Sequence, residues 1–190
     1  MRIKYNAPTV LTFAFLSAAV LVLSQTVIHS LTVQWFMVAG KGSFSPESIR
    51  CWITLFTHVL GHANWPHLVS NFSFILLIGP ILEEIYGSAP LFIMICITAL
   101  VTGVLNILLF SSSLLGASGV VFMMILLASF TNFSKGEIPL TFILVLVLYL
   151  GREIFNSFGN SSAGEISQFA HIAGGFIGSL FGFFRVNIKR

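Results

Sequence analysis

The most constraining feature of this sequence is the length of its uncharged stretches. No Asp, Glu, Lys or Arg occurs between Lys4 and Lys41, and several later stretches are similarly free of charge. Roughly 20 apolar residues of α-helix cross a bilayer core about 30 Å thick, so these stretches are long enough to span it. Of the 190 residues, 56% are hydrophobic and only 8% are charged, which excludes the polar coat of an ordinary soluble protein. The sequence therefore predicts an all-α membrane protein.

Apolar segments separated by polar breaks predict six membrane-crossing helices in a single domain that covers residues 1–190. One break is the acidic pair Glu83 and Glu84, followed by a turn from Gly87 to Pro90. The fourth segment is short, which indicates that it begins below the membrane surface after a loop that dips inward. The predicted spans are about 10–31, 66–82, 91–110, 116–131, 138–150 and 168–184.

The basic residues predict how the bundle is oriented. Six spans put both termini on one side, and positive charge is enriched in cytoplasmic loops. We therefore expect a multi-pass protein of a bacterial inner membrane with cytoplasmic termini. Because the bases gather at the chain ends rather than along a face, nucleic-acid binding is not expected. Six bases lie on the side of the termini and three on the other: Arg2, Lys4, Lys135, Arg185, Lys189 and Arg190 against Lys41, Arg50 and Arg152.

Five polar residues within the predicted spans need a reason to be there. A charge at the centre of a membrane helix costs on the order of 2.5 to 3.5 kcal/mol on insertion scales, and polar side chains in membrane spans usually face the bundle interior. Such residues are functional candidates by default. They are His67 and Asn71 in the second span, Asn106 in the third, Ser118 in the fourth and His171 in the sixth.

Four of these residues are predicted to converge at one depth. His67 and Asn71 are four residues apart and therefore share a helix face. The second, fourth and sixth spans begin on the same side of the membrane, and Ser118 and His171 also lie within two turns of those beginnings. A hydroxyl, an imidazole and further donors at one point are the components of acyl transfer: a nucleophile, a general base and oxyanion stabilisers.

Each component also has a purely structural explanation. The segment Gly116–Gly119 is rich in small residues that let helix backbones approach closely, and the same holds for Gly174, Gly178 and Gly182. The groove formed by these three C-terminal glycines would turn His171 toward a neighbouring helix, where a buried histidine can simply bond a carbonyl. An isolated intramembrane asparagine is usually an interhelical hydrogen bond. The coincidence of depth favours function, because independent packing residues have no reason to align.

Two further observations narrow the chemistry. His58 and His62 are four residues apart, but no H-E-x-x-H pattern exists and no span contains a carboxylate to complete a zinc site. We expect no metal and no cofactor, and we expect both histidines to bond loop backbone at the membrane surface. The chain contains no Asp, which excludes a Ser-His-Asp triad. A Ser-His dyad, oriented by helix packing, is the simplest alternative.

Three motifs in this order resemble the rhomboid family of intramembrane serine proteases over roughly residues 8–185. The G-x-S-G of Gly116–Gly119 resembles the family's nucleophile motif. Ala170–Gly174 with Gly178 resembles its A-H-x-x-G-x-x-x-G, and His67–Asn71 resembles its H-x-x-x-N. The resemblance implies a six-helix bundle of rhomboid type. It also implies a structural E-x-x-x-G element at Glu83–Gly87.

The resemblance further implies roles for these residues. Ser118 would be the nucleophile and His171 the base and acid. The oxyanion hole would consist of His67, Asn71 and the Ser118 amide. Two departures stand out: Ile53 and Thr54 replace the family's Trp-Arg in the first loop, and Phe122 replaces a tyrosine common four residues after the nucleophile.

The resulting functional hypothesis is a serine endopeptidase that cleaves transmembrane segments of other membrane proteins. Its partners would be those substrates and the lipid bilayer. The alternative from another class is a catalytically inactive relative that binds or escorts membrane clients, against which the intact Ser118 and His171 argue. A small transporter would require inverted repeats and a charged pathway at the midplane, and the sequence has neither.

Overall fold

A computed structural model of the chain describes residues 4–129, residues 140, 143–144 and 147–148, and residues 172–184. The described part is helical, with one isolated bridge between Val38 and Leu114 in place of any strand. A single 3₁₀ turn, His58–Leu60, follows α3 directly. The helices are α1 (Pro8–Thr26), α2 (Leu31–Trp35), α3 (Ile49–Thr57), α4 (Trp65–Tyr86), α5 (Ser88–Leu109), α6 (Ser118–Ser129) and α7 (Ile172–Phe184).

Within the described residues, three helices are long and apolar enough to cross a membrane: α1, α4 and α5. Helices α6 and α7 are also apolar but shorter, as is the stretch Ile49–Leu60. A chain with several such helices is an integral membrane protein. The region predicted as a long first loop contains α2 and α3, which the sequence analysis did not anticipate.

Five described residues of the predicted fifth span are helical and expose apolar side chains. Their spacing of three and four places them on one helix face. Because this face is exposed and purely aliphatic, it suits contact with lipid tails rather than with water. The residues are Leu140, Ile143, Leu144, Val147 and Leu148.

The E-x-x-x-G element joins the end of α4 to the beginning of α1. The Glu83 carboxylate accepts the backbone N–H of Thr9 at 2.8 Å and that of Val10 at 3.0 Å. These two donors belong to the first turn of α1, which has no partner for them within the helix. Gly87 ends α4 with φ +91°, a conformation that favours glycine. The element therefore holds α1 against α4.

Helix α6 is the centre of the described bundle. Every residue from Gly119 to Leu127 is buried, which explains why its apolar residues run all the way round rather than along one stripe. The packing of α1 against α4 is also close, because Gly79 leaves room for the Val10 side chain. Ser118, the first residue of α6, is half-buried at one end of this central helix.

The loop after α2 is fastened to the loop before α6. Val38 and Leu114 exchange two backbone hydrogen bonds of 2.9 and 3.0 Å. The Asn106 amide donates to the carbonyls of Ala39, at 3.3 Å, and Ser112, at 3.1 Å. Asn106, which the sequence marked only as an intramembrane polar residue, therefore clamps two loops together.

The first loop carries its own aromatic contacts in place of the missing Trp-Arg pair. The Arg50 guanidinium lies over the Trp35 ring, 5.4 Å from its centroid, at a distance typical of a cation–π contact. Trp52 donates its indole N–H to the Pro46 carbonyl at 3.0 Å and packs edge-on against Phe44. The arginine and tryptophans therefore stabilise the loop itself.

Candidate active site

The first two turns of α4 present His67 and Asn71 toward the segment that leads into α6. Asn64 caps α4, its side-chain oxygen accepting the His67 N–H at 2.9 Å. Pro66 occupies the first turn, where its lack of an N–H costs nothing. The cap fixes where the helix begins and so sets the positions of both side chains.

Gly116 is the point at which the two segments meet. A Cβ atom at this position would lie 2.8 Å from both Cε1 and Nε2 of His67 and 3.8 Å from Nδ2 of Asn71. Its φ of +116° also favours glycine. The Gly116 N–H donates to the His58 carbonyl at 2.9 Å. The glycine therefore admits the imidazole of His67 beside the backbone, two residues before Ser118.

The structure thus brings three of the four predicted functional residues to one region. His67 and Asn71 lie beside Gly116, and Ser118 begins α6 two residues later. Asn71 is buried and His67 is half-buried. The fourth residue, His171, lies outside the described residues.

Helix α7 runs against α6 in backbone contact. A Cβ at Gly174 would collide with the carbonyl of Gly119, and one at Gly178 with the carbonyl of Met123. Both glycines were singled out in the sequence as a small-residue groove. Their contact with α6 begins at the residue that follows Ser118.

His62 is a further part of this region, and the sequence analysis did not connect it with the site. It is only 1% exposed. Its Nδ1 lies 3.3 Å from the Leu60 carbonyl and its Nε2 lies 3.2 Å from Nδ2 of Asn71. Its ring packs edge-on against His67, with 5.0 Å between centroids. His62 is therefore a direct neighbour of both α4 residues.

The two hydrogen bonds fix the protonation of His62. A carbonyl oxygen can only accept, so Nδ1 carries the proton and donates it to Leu60. The unprotonated Nε2 then accepts from the Asn71 amide nitrogen. Burial, which disfavours the imidazolium, lowers the pKa of His62 to about 4. The ring is therefore neutral at physiological pH.

His58 is likewise buried, and it differs from expectation in the backbone group that its ring contacts. It is 1% exposed, and its Nε2 lies 3.1 Å from the Ala99 carbonyl in α5. The expected bond to backbone is present, but it goes to a helix instead of a loop. Burial lowers the pKa of His58 to about 4. Its backbone carbonyl accepts the Gly116 N–H, so His58 helps to fix the segment that leads into α6.

The described residues contain no group of three His, Cys, Asp or Glu side chains that could hold a metal ion. His58, His62 and His67 are close in sequence, but the first bonds backbone in α5 and the second bonds Asn71. At least one ring nitrogen of both His58 and His62 is therefore engaged in a hydrogen bond within the protein.

Comparisons with known proteins agree with the motifs. Residues 50–188 match the Rhomboid domain family, a range that contains all the candidate residues. Rhomboid-like protein 11, chloroplastic, from Arabidopsis thaliana is 24% identical over 162 residues, which cover 78% of this chain and 58% of that protein. The chain thus spans somewhat more than half of that relative's length. With nearly three quarters of its residues inside the family match, this chain belongs to the rhomboid family.

Proposed function

We propose that the chain is an intramembrane serine endopeptidase that uses Ser118 as nucleophile and His171 as general base and acid. The observation that supports this most strongly is the backbone contact between α6 and α7 at Gly119 and Gly174. Gly119 follows Ser118 directly, and Gly174 comes three residues after His171. The predicted sixth span, 168–184, includes both His171 and Gly174, and residues three apart share a helix face. On that prediction, the spacing favours an imidazole at the serine.

In the proposed reaction, His171 takes the proton of the Ser118 hydroxyl as its oxygen attacks a peptide carbonyl. The proton then passes to the leaving amine. The resulting acyl-enzyme is hydrolysed when water, deprotonated by the same imidazole, attacks the ester carbon and releases Ser118. With no Asp in the chain, orientation of His171 falls to the packing of α7 on α6.

Three donors are available for the negative charge that develops on the carbonyl oxygen. The Ser118 N–H is among the first donors of α6, which have no acceptor within the helix, and it lies at the positive end of the helix dipole. Asn71 contributes its amide nitrogen, and His67 a ring N–H. Loss of one such donor lowers kcat by about 10² to 10³-fold in serine proteases.

Substrates would be transmembrane segments that unwind locally, because an intact helix hides its carbonyls in its own hydrogen bonds. The polar cluster of His67, Asn71 and Ser118 would admit the water that hydrolysis needs. We propose cytoplasmic termini, because Lys and Arg are enriched on the side of both termini in the predicted topology. Reporter fusions at both termini would check that orientation.

The test uses the purified chain in detergent and a fluorophosphonate probe, which phosphonylates an activated serine. We expect labelling of the native chain and none in Ser118→Ala or His171→Ala. Ser129→Ala is the matched control, because Ser129 lies on the same helix and its hydroxyl donates to the Ile125 carbonyl, four residues earlier. Labelling that persists in His171→Ala would count against the dyad.

Cleavage is then tested by co-expression with candidate single-span membrane proteins, comparing the native chain with Ser118→Ala. Fragments that depend on Ser118 are expected. A folded chain that co-purifies with such proteins, leaves them intact and does not react with the probe would instead favour the inactive client-binding relative.

A further inference from the structure

The side-chain amide of Asn71 can face the site in two orientations. They have nearly the same shape, but they present opposite partial charges. A half-turn about the last side-chain bond exchanges its oxygen and its NH₂ group. With the nitrogen toward a developing oxyanion, the amide donates; with the oxygen there, it repels. Something must therefore fix which end faces the site.

The bond to His62 settles this choice. Leu60 accepts from Nδ1 of His62, which leaves Nε2 as an acceptor that only the nitrogen end of Asn71 can satisfy. One amide N–H is used in this bond. The second N–H of the same nitrogen remains for another acceptor, and this nitrogen is the Asn71 atom nearest to Gly116.

Packing keeps the His62 ring in this orientation. The ring lies edge-on against His67 and is tilted against Phe72, with centroids 5.7 Å apart. It is almost completely buried, so a ring nitrogen that lost its partner would stay buried without a hydrogen bond. A ring flipped about the Cβ–Cγ bond would present Cδ2 to the Leu60 carbonyl and Cε1 to Asn71, and both hydrogen bonds would be lost.

We infer that His62 is a positioning residue of the proposed protease: it holds Asn71 so that an amide N–H, rather than the amide oxygen, faces the oxyanion. The inference rests on the proposed function for its catalytic consequence. Two hydrogen bonds link the Leu60 carbonyl, the His62 imidazole and the Asn71 amide in that order. His62 touches no reacting atom: its hydrogen bond runs to Asn71, and its contact with His67 is ring packing.

The kinetic test measures the fluorophosphonate reaction of Ser118, separating the maximal labelling rate from the half-saturating probe concentration. We expect His62→Phe, which keeps an aromatic ring but removes both hydrogen bonds, to lower the maximal rate about 10 to 100-fold, somewhat less than loss of the donor itself. The half-saturating concentration should stay within about twofold, because binding of the probe is not altered. His29→Phe, at an exposed histidine, is the matched control and should react like the native chain.

A conservative variant and a double-mutant cycle separate positioning from general damage. His62→Gln offers a carbonyl oxygen to the Asn71 amide and should restore most of the rate lost in His62→Phe. In an Asn71→Ala background, His62→Phe should lower the rate by less than about threefold, since the hydrogen bond to Asn71 is already gone and the phenyl ring keeps the packing against His67. Fold-changes that multiply independently would overturn the inference.

A second measurement does not depend on activity. Nitrogen NMR of the native chain with ¹⁵N-labelled histidine distinguishes the two neutral imidazole forms, and His62→Gln assigns the signal. We expect His62 to carry its proton on Nδ1. A proton on Nε2 would overturn the inference even in an active enzyme. A native chain that shows the Nδ1 form but does not react with the probe would refute the proposed function while leaving this orientation of Asn71 intact.

Discussion

Replacing Gly174 with alanine should separate α7 from α6 and disable the proposed dyad. The new Cβ would lie 2.0 Å from the Gly119 carbonyl oxygen, whereas real Cβ atoms essentially never approach another heavy atom within 3.0 Å. The obstacle is backbone, so it cannot rotate away, and the helices must move apart by about 1 Å. A misplacement of about 1 Å can lower a rate about 10²-fold. We expect a loss of that size in the maximal rate of fluorophosphonate labelling.

The same substitution should also destabilise the fold. Overpacking a well-packed contact costs about 1 to 3 kcal/mol, and for a chain of this size each kcal/mol corresponds to a shift of about 2 to 4 °C in Tm. We therefore expect the Tm in detergent to fall by roughly 2 to 12 °C. Gly178→Ala, whose Cβ would lie 2.2 Å from the Met123 carbonyl oxygen, should behave similarly.

Gly175 provides the matched control on the neighbouring face of α7. A Cβ there would meet only the side chain of Leu126, at 3.3 Å, and a leucine methyl can move by the few tenths of an ångström required. Gly175→Ala should therefore keep most of the rate and the Tm. If Gly174→Ala labels at the native rate, or if all three variants lose the same amount, then backbone contact between α6 and α7 does not set the geometry at Ser118.

Three further perturbations test other parts of the structure. Glu83→Gln leaves one acceptor oxygen for two backbone donors and should lower stability by about 1 to 3 kcal/mol, measured as Tm in detergent, whereas exposed Glu84→Gln should change it little. Asn106→Leu removes the donor shared by two loops and should speed proteolytic nicking of residues 36–48, with native digestion rates contradicting the clamp. Because the unfolded chain takes up protons on His58 and His62 near pH 6.5 but the folded chain only near pH 4, stability should fall as the pH drops through that window. The loss is up to about 3 kcal/mol per histidine, and a Tm that stays constant from pH 7 to pH 5 would refute it.

The sequence pattern located the candidate site residues better than it located the residues around them. His67 and Asn71 were predicted from the cost of polar groups in a span and from their spacing, and both lie beside Gly116 as that reasoning implied. The same logic marked Asn106, which instead clamps loops. The cost of burial identifies a polar residue as needing a partner, but it does not say whether that partner is a substrate or a carbonyl.

His58 and His62 show what the pattern could not reveal. Neither falls in a predicted span, so no periodicity assigned them a face or a depth. Their burial depends on the path of residues 58–64, where a 3₁₀ turn and an extended segment turn the chain back into the bundle. The available signal was the series of three histidines and one asparagine within fourteen residues, at spacings of four, five and four. The observed start of α4 at Trp65 shows that the last two residues of this series lie on a helix and that the first two precede it.

The glycine contacts and the polar contacts at this site should respond differently to mutation. The first should affect both the stability of the fold and the reaction rate, whereas the second should mainly affect the rate. The glycine contacts between α6 and α7 are part of the core, so disturbing them should lower both stability and rate. Asn71 and His62 form one buried hydrogen bond of 3.2 Å, whose net contribution to stability is only about 1 kcal/mol, while an oxyanion donor governs about 3 to 4 kcal/mol of the barrier. Asn71→Ala should therefore lower the rate far more than the Tm. A site whose parts served packing alone would show no such separation: the loss of rate in each variant would simply follow its loss of stability.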